Sequence, residues 1–264
     1  MYFKDAPERK RTLLFVVLGG FFITNALVAE FMGVKIFSLE KLFEIAPIVF
    51  NFFGEEVKGF SLTCGVLLWP FVFIMTDIIN EYFGKKGVRL LSYLAAAMIS
   101  YAFVMMYLAM QTPGADWWFF SSNYGQGLDM DKAYNAVFGQ GLSIIIGSLV
   151  AFLIGQFIDV FIFHKLKQKT GNKHLWLRAT GSTLVSQLID SFVVLYIAFY
   201  LARTGQANQW SFSLVMAVGC VNYIYKFVMA LVLTPLVYLI HWIIDRWLGK
   251  ELSQKMMKQA AGEE

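Results

Sequence analysis

Apolar residues are concentrated in six long runs, near residues 12–34, 60–80, 88–111, 141–163, 180–202 and 213–244. Each run approaches or exceeds the roughly 20 residues that an α-helix needs to cross the hydrocarbon core of a bilayer. The runs lack the alternation of apolar and polar residues that barrel strands show, so they indicate helices. The pattern predicts an all-α membrane protein, a six-transmembrane-helix bundle that forms one domain over residues 1–264, with 250–264 as a cytoplasmic tail.

Composition and charge support this interpretation. The chain is 58% hydrophobic and 15% charged, whereas a soluble domain has about 45–50% apolar and about 25% charged residues. The segments before the first run and after the second, fourth and sixth hold 16 lysines and arginines, and the opposite segments hold 5. By the positive-inside rule, the N- and C-termini are predicted to be cytoplasmic. No basic stripe interleaved with aromatics is present, so a nucleic-acid partner is not expected.

Two local features lead to further predictions. Residues 35–59, on the predicted outer side, mix apolar and charged residues, which favours a short helix lying on or dipping into the outer face of the membrane. Pro70 lies inside the second run, where a proline removes a backbone hydrogen bond and is predicted to kink the helix. The first run extends too far for a cleaved signal, and we interpret it as a retained span.

Polar and ionisable side chains occur within five of the six runs, although each costs several kcal/mol in lipid. They are Asn25, Glu30, Thr76, Asp77, Asn80, Glu81, Gln156, Asp159, Gln187, Asp190, Asn222 and Lys226. Spacings of three and four residues place Asp77, Asn80 and Glu81, and likewise the pairs Gln156–Asp159, Gln187–Asp190 and Asn222–Lys226, on one face of each of four helices. We therefore expect these faces to turn towards a shared polar interior.

Structural explanations remain open for some of these residues. Asp190 and Lys226 are both predicted near mid-membrane and could neutralise each other without a ligand. The group around Asp77 could be a solvated helix end, because lysines follow it. Gln156 and Gln187 could serve as hydrogen-bonding contacts between helices.

The chemistry of the polar residues suggests a class of ligand. Carboxylates accept hydrogen bonds from N–H groups, while amides offer one donor and one acceptor edge. Such a set suits a planar heterocycle with an amide edge, such as a purine-like base, and aromatic residues, 17% of the chain, could stack on it. No spacing indicates a metal or a cofactor. The three histidines, His164, His174 and His241, lie near the predicted boundary, so an intramembrane enzyme is a poor alternative.

Two stretches of the sequence resemble a known family. The first runs from Trp69 to Lys86 and contains Thr-Asp-Ile-Ile-Asn-Glu at residues 76–81. The second begins at Tyr134, passes through Gly-Gln-Phe-Ile-Asp at 155–159, and ends with Gln-Leu-Ile-Asp at 187–190. Both are similar to the queuosine-precursor transporters, also called the vitamin uptake transporter family, over about residues 10–245.

The resemblance implies a function and a set of site residues. It implies import of 7-deazaguanine bases, such as preQ0 and preQ1, across the bacterial inner membrane, by a fold similar to the substrate-binding subunits of energy-coupling-factor transporters. The hallmark polar positions of the family fall on Asp77, Asn80, Glu81, Gln156, Asp159, Arg178, Ser182, Thr183, Gln187 and Asp190. With Asn25, Asn222 and Lys226, these are the candidate substrate-binding residues.

The way in which transport would be energised leaves an alternative open. The chain could be the substrate-binding subunit of an ATP-driven vitamin importer. Such subunits usually carry a small-residue motif on the first helix, and here only Ala26 and Ala29 are present, at a different spacing. No phosphate-binding loop occurs, so the chain itself does not use ATP. The sequence specifies neither a coupling ion nor an oligomeric state.

Overall fold

The computed structural model of the chain describes residues 6–118, 128–139, 142–170 and 175–261. Its helices are α1 (Ala6–Met32), α2 (Leu39–Leu42), α3 (Trp69–Gln111), α4 (Met130–Phe138), α5 (Leu142–Thr170), α6 (Leu175–Leu195), α7 (Phe212–Leu248) and α8 (Lys250–Ala261). A π-helical segment, Tyr196–Leu201, continues α6. Among the described residues, five helices are long and apolar enough to cross a membrane: α1, α3, α5, α6 with its continuation, and α7. The predicted class, an all-α membrane protein, is confirmed. His174, named above, lies outside the described residues.

The long helix α3 reverses its direction at Gly84. The hydroxyls of Thr76 and Ser92 both donate to Oε1 of Gln156, at 3.0 and 3.4 Å. A straight helix would hold these two positions roughly 24 Å apart. Gly84 has φ 64° and ψ −169°, a conformation that is essentially restricted to glycine. The helix therefore consists of a first arm, residues 69–83, and a second arm, residues 85–111, which contain most of two predicted runs.

The first arm begins later than the sequence pattern predicts. Residues Ser61–Thr63 form a strand and Cys64–Leu67 form a turn of 3₁₀-helix, so α3 starts only at Trp69. Pro70 therefore lies in the first turn of the helix, where its missing N–H would have had no intrahelical partner. The predicted kink at Pro70 is wrong, and the sharp bend occurs at Gly84.

Residues 36–63 form a small unit, the strand cap, at one end of the bundle. Its strands are β1 (Ile36–Ser38), β2 (Val49–Phe52), β3 (Glu55–Lys58) and β4 (Ser61–Thr63), and the antiparallel pairs are β1 with β4 and β2 with β3. The predicted surface helix is wrong for most of this segment and is confined to α2. Exposure alternates along β2 and β3 with the two-residue period of strands, and Gly54 supplies the positive φ of the turn between them.

The strand cap is fastened to the start of α7. Oε1 of Glu55 accepts hydrogen bonds from Ser213, at 2.6 Å, and from Ser211, at 3.0 Å. These two hydroxyl donors lower the pKa of the Glu55 carboxyl. Leu62 and Val66 also pack with Tyr225 of α7 in a small apolar cluster. The cap is therefore held against α7 by both polar and apolar contacts.

A buried ion triad joins three helices at the opposite end, which we call the basic end because Lys10, Lys85, Lys165 and Arg246 belong to it. The carboxylate of Glu81, in the first arm, lies 2.7 Å from Arg178 of α6 and 3.3 Å from Lys167 of α5. All three side chains are at most 3% exposed. Lys167 also donates to the backbone carbonyl of Glu81. The triad therefore fixes the end of the first arm relative to α5 and α6.

The C-terminal helix α8 packs against the same end. The Oδ1 atom of Asp245, near the end of α7, accepts hydrogen bonds from Tyr82 of the first arm, at 2.6 Å, and from Ser253 of α8. The carbonyl of Ala260 lies so close to Gly84 that a Cβ there would approach it to 2.9 Å. The predicted cytoplasmic tail is thus partly an ordered helix that covers the turn of α3.

We expect Gly84→Ala to destabilise the protein. A side chain at φ 64° and ψ −169° is strained by about 1–3 kcal/mol, and the new Cβ would press on the Ala260 carbonyl. Thermal unfolding of the purified protein in detergent measures the effect. Gly20→Ala in α1, where an added Cβ meets nothing within 4 Å, is the matched control and should be neutral or slightly stabilising. Equal melting temperatures for both variants would contradict this account of the turn.

We also expect Arg178→Leu to be strongly destabilising. Removing one partner of a buried charge network costs roughly 3–5 kcal/mol, because the remaining charge is left without compensation. Lys58→Met is the control, since Lys58 and its partner Glu56 are 72% and 53% exposed and such surface pairs contribute little. The comparison uses the same thermal unfolding assay. A similar, small effect in both variants would show that the triad does not hold the helices together.

Candidate functional site

A cavity lies between the first arm of α3, α6 and α7. The empty space inside it, counted together with the open solvent at its mouth, is about 500 Å³. Its polar lining consists of Asp77, Thr180, Thr183, Gln187, Lys226 and Thr234. The remaining lining residues are apolar or aromatic. Of the candidate residues, Asp77, Thr183, Gln187 and Lys226 therefore meet at one cavity.

One wall of the cavity is aromatic. Trp69 and Phe73, one turn apart on the first arm, both line it. The ring centroid of Trp69 lies 6.4 Å from that of Phe73 and 5.5 Å from that of Phe152 on α5, so neighbouring rings restrict the orientation of the indole. This wall offers a flat apolar surface to a planar ligand.

Beside these rings, the cavity is lined by hydrogen-bonding groups that are only partly used: Asp77 on the same arm, and Thr183 and Gln187 on α6. The carboxylate of Asp77 accepts hydrogen bonds from Thr183 at 3.3 Å and from Ser182 at 3.5 Å. Gln187, one helical turn after Thr183, is 4% exposed, and its Nε2 atom has no hydrogen-bond partner among the described residues. A buried amide donor without a partner is costly. The cavity therefore offers a ligand hydrogen-bond acceptors at Asp77 and a donor at Gln187.

An ion pair lies beside these polar groups. Nζ of Lys226 on α7, which lines the cavity, bonds to Oδ2 of Asp190 on α6. The side chains are 15% and 19% exposed. The two residues are therefore paired, as the structural explanation expects, and Lys226 also lines the cavity. Glu30 of α1, which also bonds to Ser148, is close enough to Asp190 to repel it.

Further polar residues lie behind the cavity, between the first arm, α5 and α6. Oε1 of Gln156 receives the two hydroxyl hydrogen bonds that join the arms of α3, so its interpretation as a contact between helices is confirmed. Asp159, one turn further along α5, is fully buried and accepts from Ser186 at 3.3 Å. Neither Gln156 nor Asp159 lines the cavity.

Asn80, Glu81 and Arg178 are buried near Asp77 but do not line the cavity. Asp77, Asn80 and Glu81 are 3%, 2% and 0% exposed, so the alternative of a solvated helix end is wrong. Glu81 and Arg178 belong to the ion triad rather than to the cavity lining. Asn80 is buried, and its Nδ2 has no partner among the described residues.

Two further candidates, Asn25 and Asn222, belong neither to the cavity lining nor to the ion triad. Asn25 lies on α1 and donates to the carbonyl of Phe21 in its own helix. Asn222 lies on α7, one turn before Lys226, and is half-buried. Neither side chain lines the cavity, because the rotation of each helix directs it elsewhere.

Sequence reasoning missed several residues of the site. Trp69 and Phe73 could not be distinguished from other aromatics, because rings that face lipid and rings that face a cavity look alike in a sequence. Thr180 and Thr234, whose hydroxyls are 2.9 Å apart and join α6 to α7, gave no signal, since threonine is tolerated anywhere in a span. Among the described residues, no group of three or more histidine, cysteine or acidic side chains could hold a metal ion.

Comparison with known proteins supports the predicted family. A protein of Bacillus subtilis (strain 168) named "Probable queuosine precursor transporter" is 29% identical over 185 residues, which cover 69% of this chain and 73% of that protein. A protein of the same name from Haemophilus influenzae is 29% identical over 179 residues, 66% of each chain. The "Queuosine precursor transporter" of Escherichia coli (strain K12) is 26% identical over 181 residues, 67% of this chain and 71% of that one.

No solved structure shows significant similarity to the chain. A family model described as "Putative vitamin uptake transporter" matches residues 63–240. The match covers both arms of α3, α5, α6 and most of α7, and so includes every polar residue that lines the cavity. Because this range is more than half of the chain, the protein belongs to the vitamin uptake transporter family, as the resemblance in its sequence predicts.

Proposed function

We propose that the protein imports queuosine precursors, 7-deazaguanine bases such as preQ0 and preQ1, and that it is not an enzyme. The cavity between the first arm, α6 and α7 carries this proposal. Aromatic rings and unused hydrogen-bonding groups line it together, and the relatives reported above are named as transporters of queuosine precursors. A planar base with donors and an acceptor on one edge could form hydrogen bonds with these unused groups.

The chemistry of the cavity supports this class of ligand. The edge of a guanine-like base presents two kinds of N–H donor beside one carbonyl oxygen. The carboxylate of Asp77 would accept from the N–H groups, and Nε2 of Gln187 would donate to the carbonyl. The rings of Trp69 and Phe73 would stack on the face of the base. Ser182 and Thr183 would hold the Asp77 carboxylate in place.

We further propose that the chain crosses the bacterial inner membrane six times, with both termini in the cytoplasm. The two arms of α3 would cross separately, because the chain turns back at Gly84 between them. The basic end would face the cytoplasm, in agreement with the distribution of 16 against 5 basic residues between the two sides. The strand cap would then lie outside, over the entrance to the cavity.

A second candidate function is that of a substrate-binding subunit of an ATP-driven vitamin importer. The description of the family as vitamin uptake transporters favours it. Ala26 and Ala29 of α1, however, are 0% and 1% exposed, so they pack inside the bundle and offer no surface for a partner. Purification from native membranes distinguishes the two: an ATPase pair that co-purifies would favour the subunit.

The test is uptake of a radiolabelled 7-deazaguanine base into proteoliposomes. We expect Asp77→Asn to weaken binding by about 10–100-fold, because a hydrogen bond to a charged group contributes about 1.5–3 kcal/mol. Uptake at low substrate concentration should fall in proportion. Asn25→Ala, outside the cavity, is the control and should match the wild type. Equal uptake by Asp77→Asn and the wild type would refute the assignment of the site.

Gln187 allows a test of specificity. Gln187→Glu replaces the amide donor by a carboxylate acceptor of almost the same shape. We expect this variant to bind preQ1 at least tenfold more weakly, because the ligand carbonyl would face an acceptor. It should regain affinity for a 2,6-diamino-7-deazapurine, whose amino group donates at that position. Competition binding to purified protein measures both ligands. An unchanged preference would mean that Gln187 does not contact the carbonyl.

A further inference from the structure

The carboxylates of Asp77 and Asp159 approach each other across a layer of hydroxyl groups on α6. Ser182 and Thr183 contact Asp77 at 3.5 and 3.3 Å, and Ser186 contacts Asp159 at 3.3 Å. Hydrogen bonds between oxygen atoms are usually 2.5–3.0 Å long. The carboxylates are thus surrounded by oxygen atoms at distances that are long for direct hydrogen bonds.

The number of hydrogen atoms explains these distances. A serine hydroxyl has one hydrogen, and Ser182 lies closer to the carbonyl of Ala179, at 3.1 Å, than to Asp77. Ser186 likewise lies closer to the carbonyl of Thr183, at 3.0 Å, than to Asp159. When these two serine hydroxyls donate to the backbone carbonyls, their lone pairs face the carboxylates, and only Thr183 donates to Asp77. The layer then has more acceptors than hydrogen atoms.

The nearby lysines and arginine do not supply a positive charge to these two carboxylates, because they are paired with others. Glu81 lies near Asp77 and adds a negative charge, but it is paired with Arg178 and Lys167. Lys226 of α7 is paired with Asp190 of α6. Oδ2 of Asp159, on a residue that is 0% exposed, has no hydrogen-bond partner among the described residues. Two neighbouring carboxylates in such surroundings cannot both remain charged without a positive partner.

We propose that a small hard cation, a proton or Na⁺, binds between Asp77 and Asp159 and is carried together with the substrate. Oxygen atoms of carboxylates and hydroxyls are the ligands that hard cations prefer. Asp77, Asp159, Ser182, Thr183 and Ser186 supply such atoms from three helices. The proposal rests on the proposed transport function and adds its source of energy.

Asp77 links the cation to the substrate because it belongs to both sites. Asp77 lines the cavity, and its carboxylate also contacts the hydroxyls of Ser182 and Thr183. Substrate N–H groups and the cation therefore compensate the same pair of negative charges. Each stabilises the other, and the coupling is reciprocal. Uptake then proceeds as symport, down the gradient of the cation.

Proteoliposomes that contain wild-type protein test the proposal, with labelled preQ1 as the probe and the membrane potential clamped at zero. A tenfold inward gradient of either H⁺ or Na⁺ is imposed in separate arms. With one cation per substrate, the coupled cation should drive accumulation up to about tenfold above the outside concentration. Accumulation in one arm identifies the cation. Accumulation in neither arm overturns the proposal.

Two variants locate the cation. Asp159→Asn, outside the cavity lining, should lose gradient-driven accumulation. Ser186→Ala changes no charge and should raise the cation concentration for half-maximal uptake at least about fivefold, because one oxygen ligand is lost. Asp116→Asn, in an exposed loop, is the control. If both site variants behave like the wild type, the cation does not bind there. Size-exclusion chromatography shows whether each variant is folded. If Asp159→Asn does not fold, the result for Ser186→Ala alone tests the cation site.

Exchange of labelled for unlabelled preQ1 at equal cation concentrations separates this proposal from the transport function. Exchange requires binding and passage but no gradient. Wild-type protein that exchanges preQ1 without responding to either gradient would overturn the cation site and leave the transport function intact. Wild-type protein that shows neither exchange nor accumulation would overturn both.

Discussion

The cost of holding a charge away from water governs how this protein is assembled. Lipid tails are as apolar as leucine side chains, so apolar contact alone does not decide which helices pack together. Glu81 is matched by cations from α5 and α6, and Asp190 is matched by a cation from α7. Because breaking either match leaves a buried charge uncompensated, these contacts determine how α3, α5, α6 and α7 are placed. The cavity is the space that remains between helices positioned in this way.

The same cost distinguishes structural from functional polar groups. Both oxygens of Glu81 face cations, and Oε1 of Gln156 receives two hydroxyl groups, so these residues hold helices together. Nε2 of Gln156 has no hydrogen-bond partner among the described residues, but Gln156 does not line the cavity. Asp77 and Gln187 retain unused capacity at the surface of a cavity. A buried polar group without a hydrogen-bond partner costs free energy, so its presence calls for an explanation. A ligand that binds there in the proposed function would supply the missing partner.

Periodicity could predict much of the fold but only part of the site. The polar face around Asp77 follows directly from helical spacing and the cost of polar groups in lipid. The reversal at Gly84 could not be predicted as a one-residue turn, because the flanking lysines resemble those of an ordinary loop. The strands of residues 36–63 are short, and their mixed composition also fits a surface helix. Asn25 and Trp69 show the remaining difficulty: which side of a helix faces a cavity depends on its rotation, and tertiary packing sets that rotation.

The two ends of the cavity are closed by different kinds of contact, which bears on how the proposed transport would work. The strand cap meets α7 through the hydrogen bonds of Glu55 and through an apolar cluster that includes Leu62 and Tyr225, so separating them also exposes apolar surface to water. Towards the basic end, a hydrogen bond joins the lining residues Thr180 and Thr234, and the ion triad lies outside the lining. Water that enters there can replace each lost hydrogen bond and hydrate the charges, which recovers much of the desolvation cost of burying them. A buried triad is therefore stable while dry, and in the proposed transport it would yield to hydration when a substrate leaves at that end.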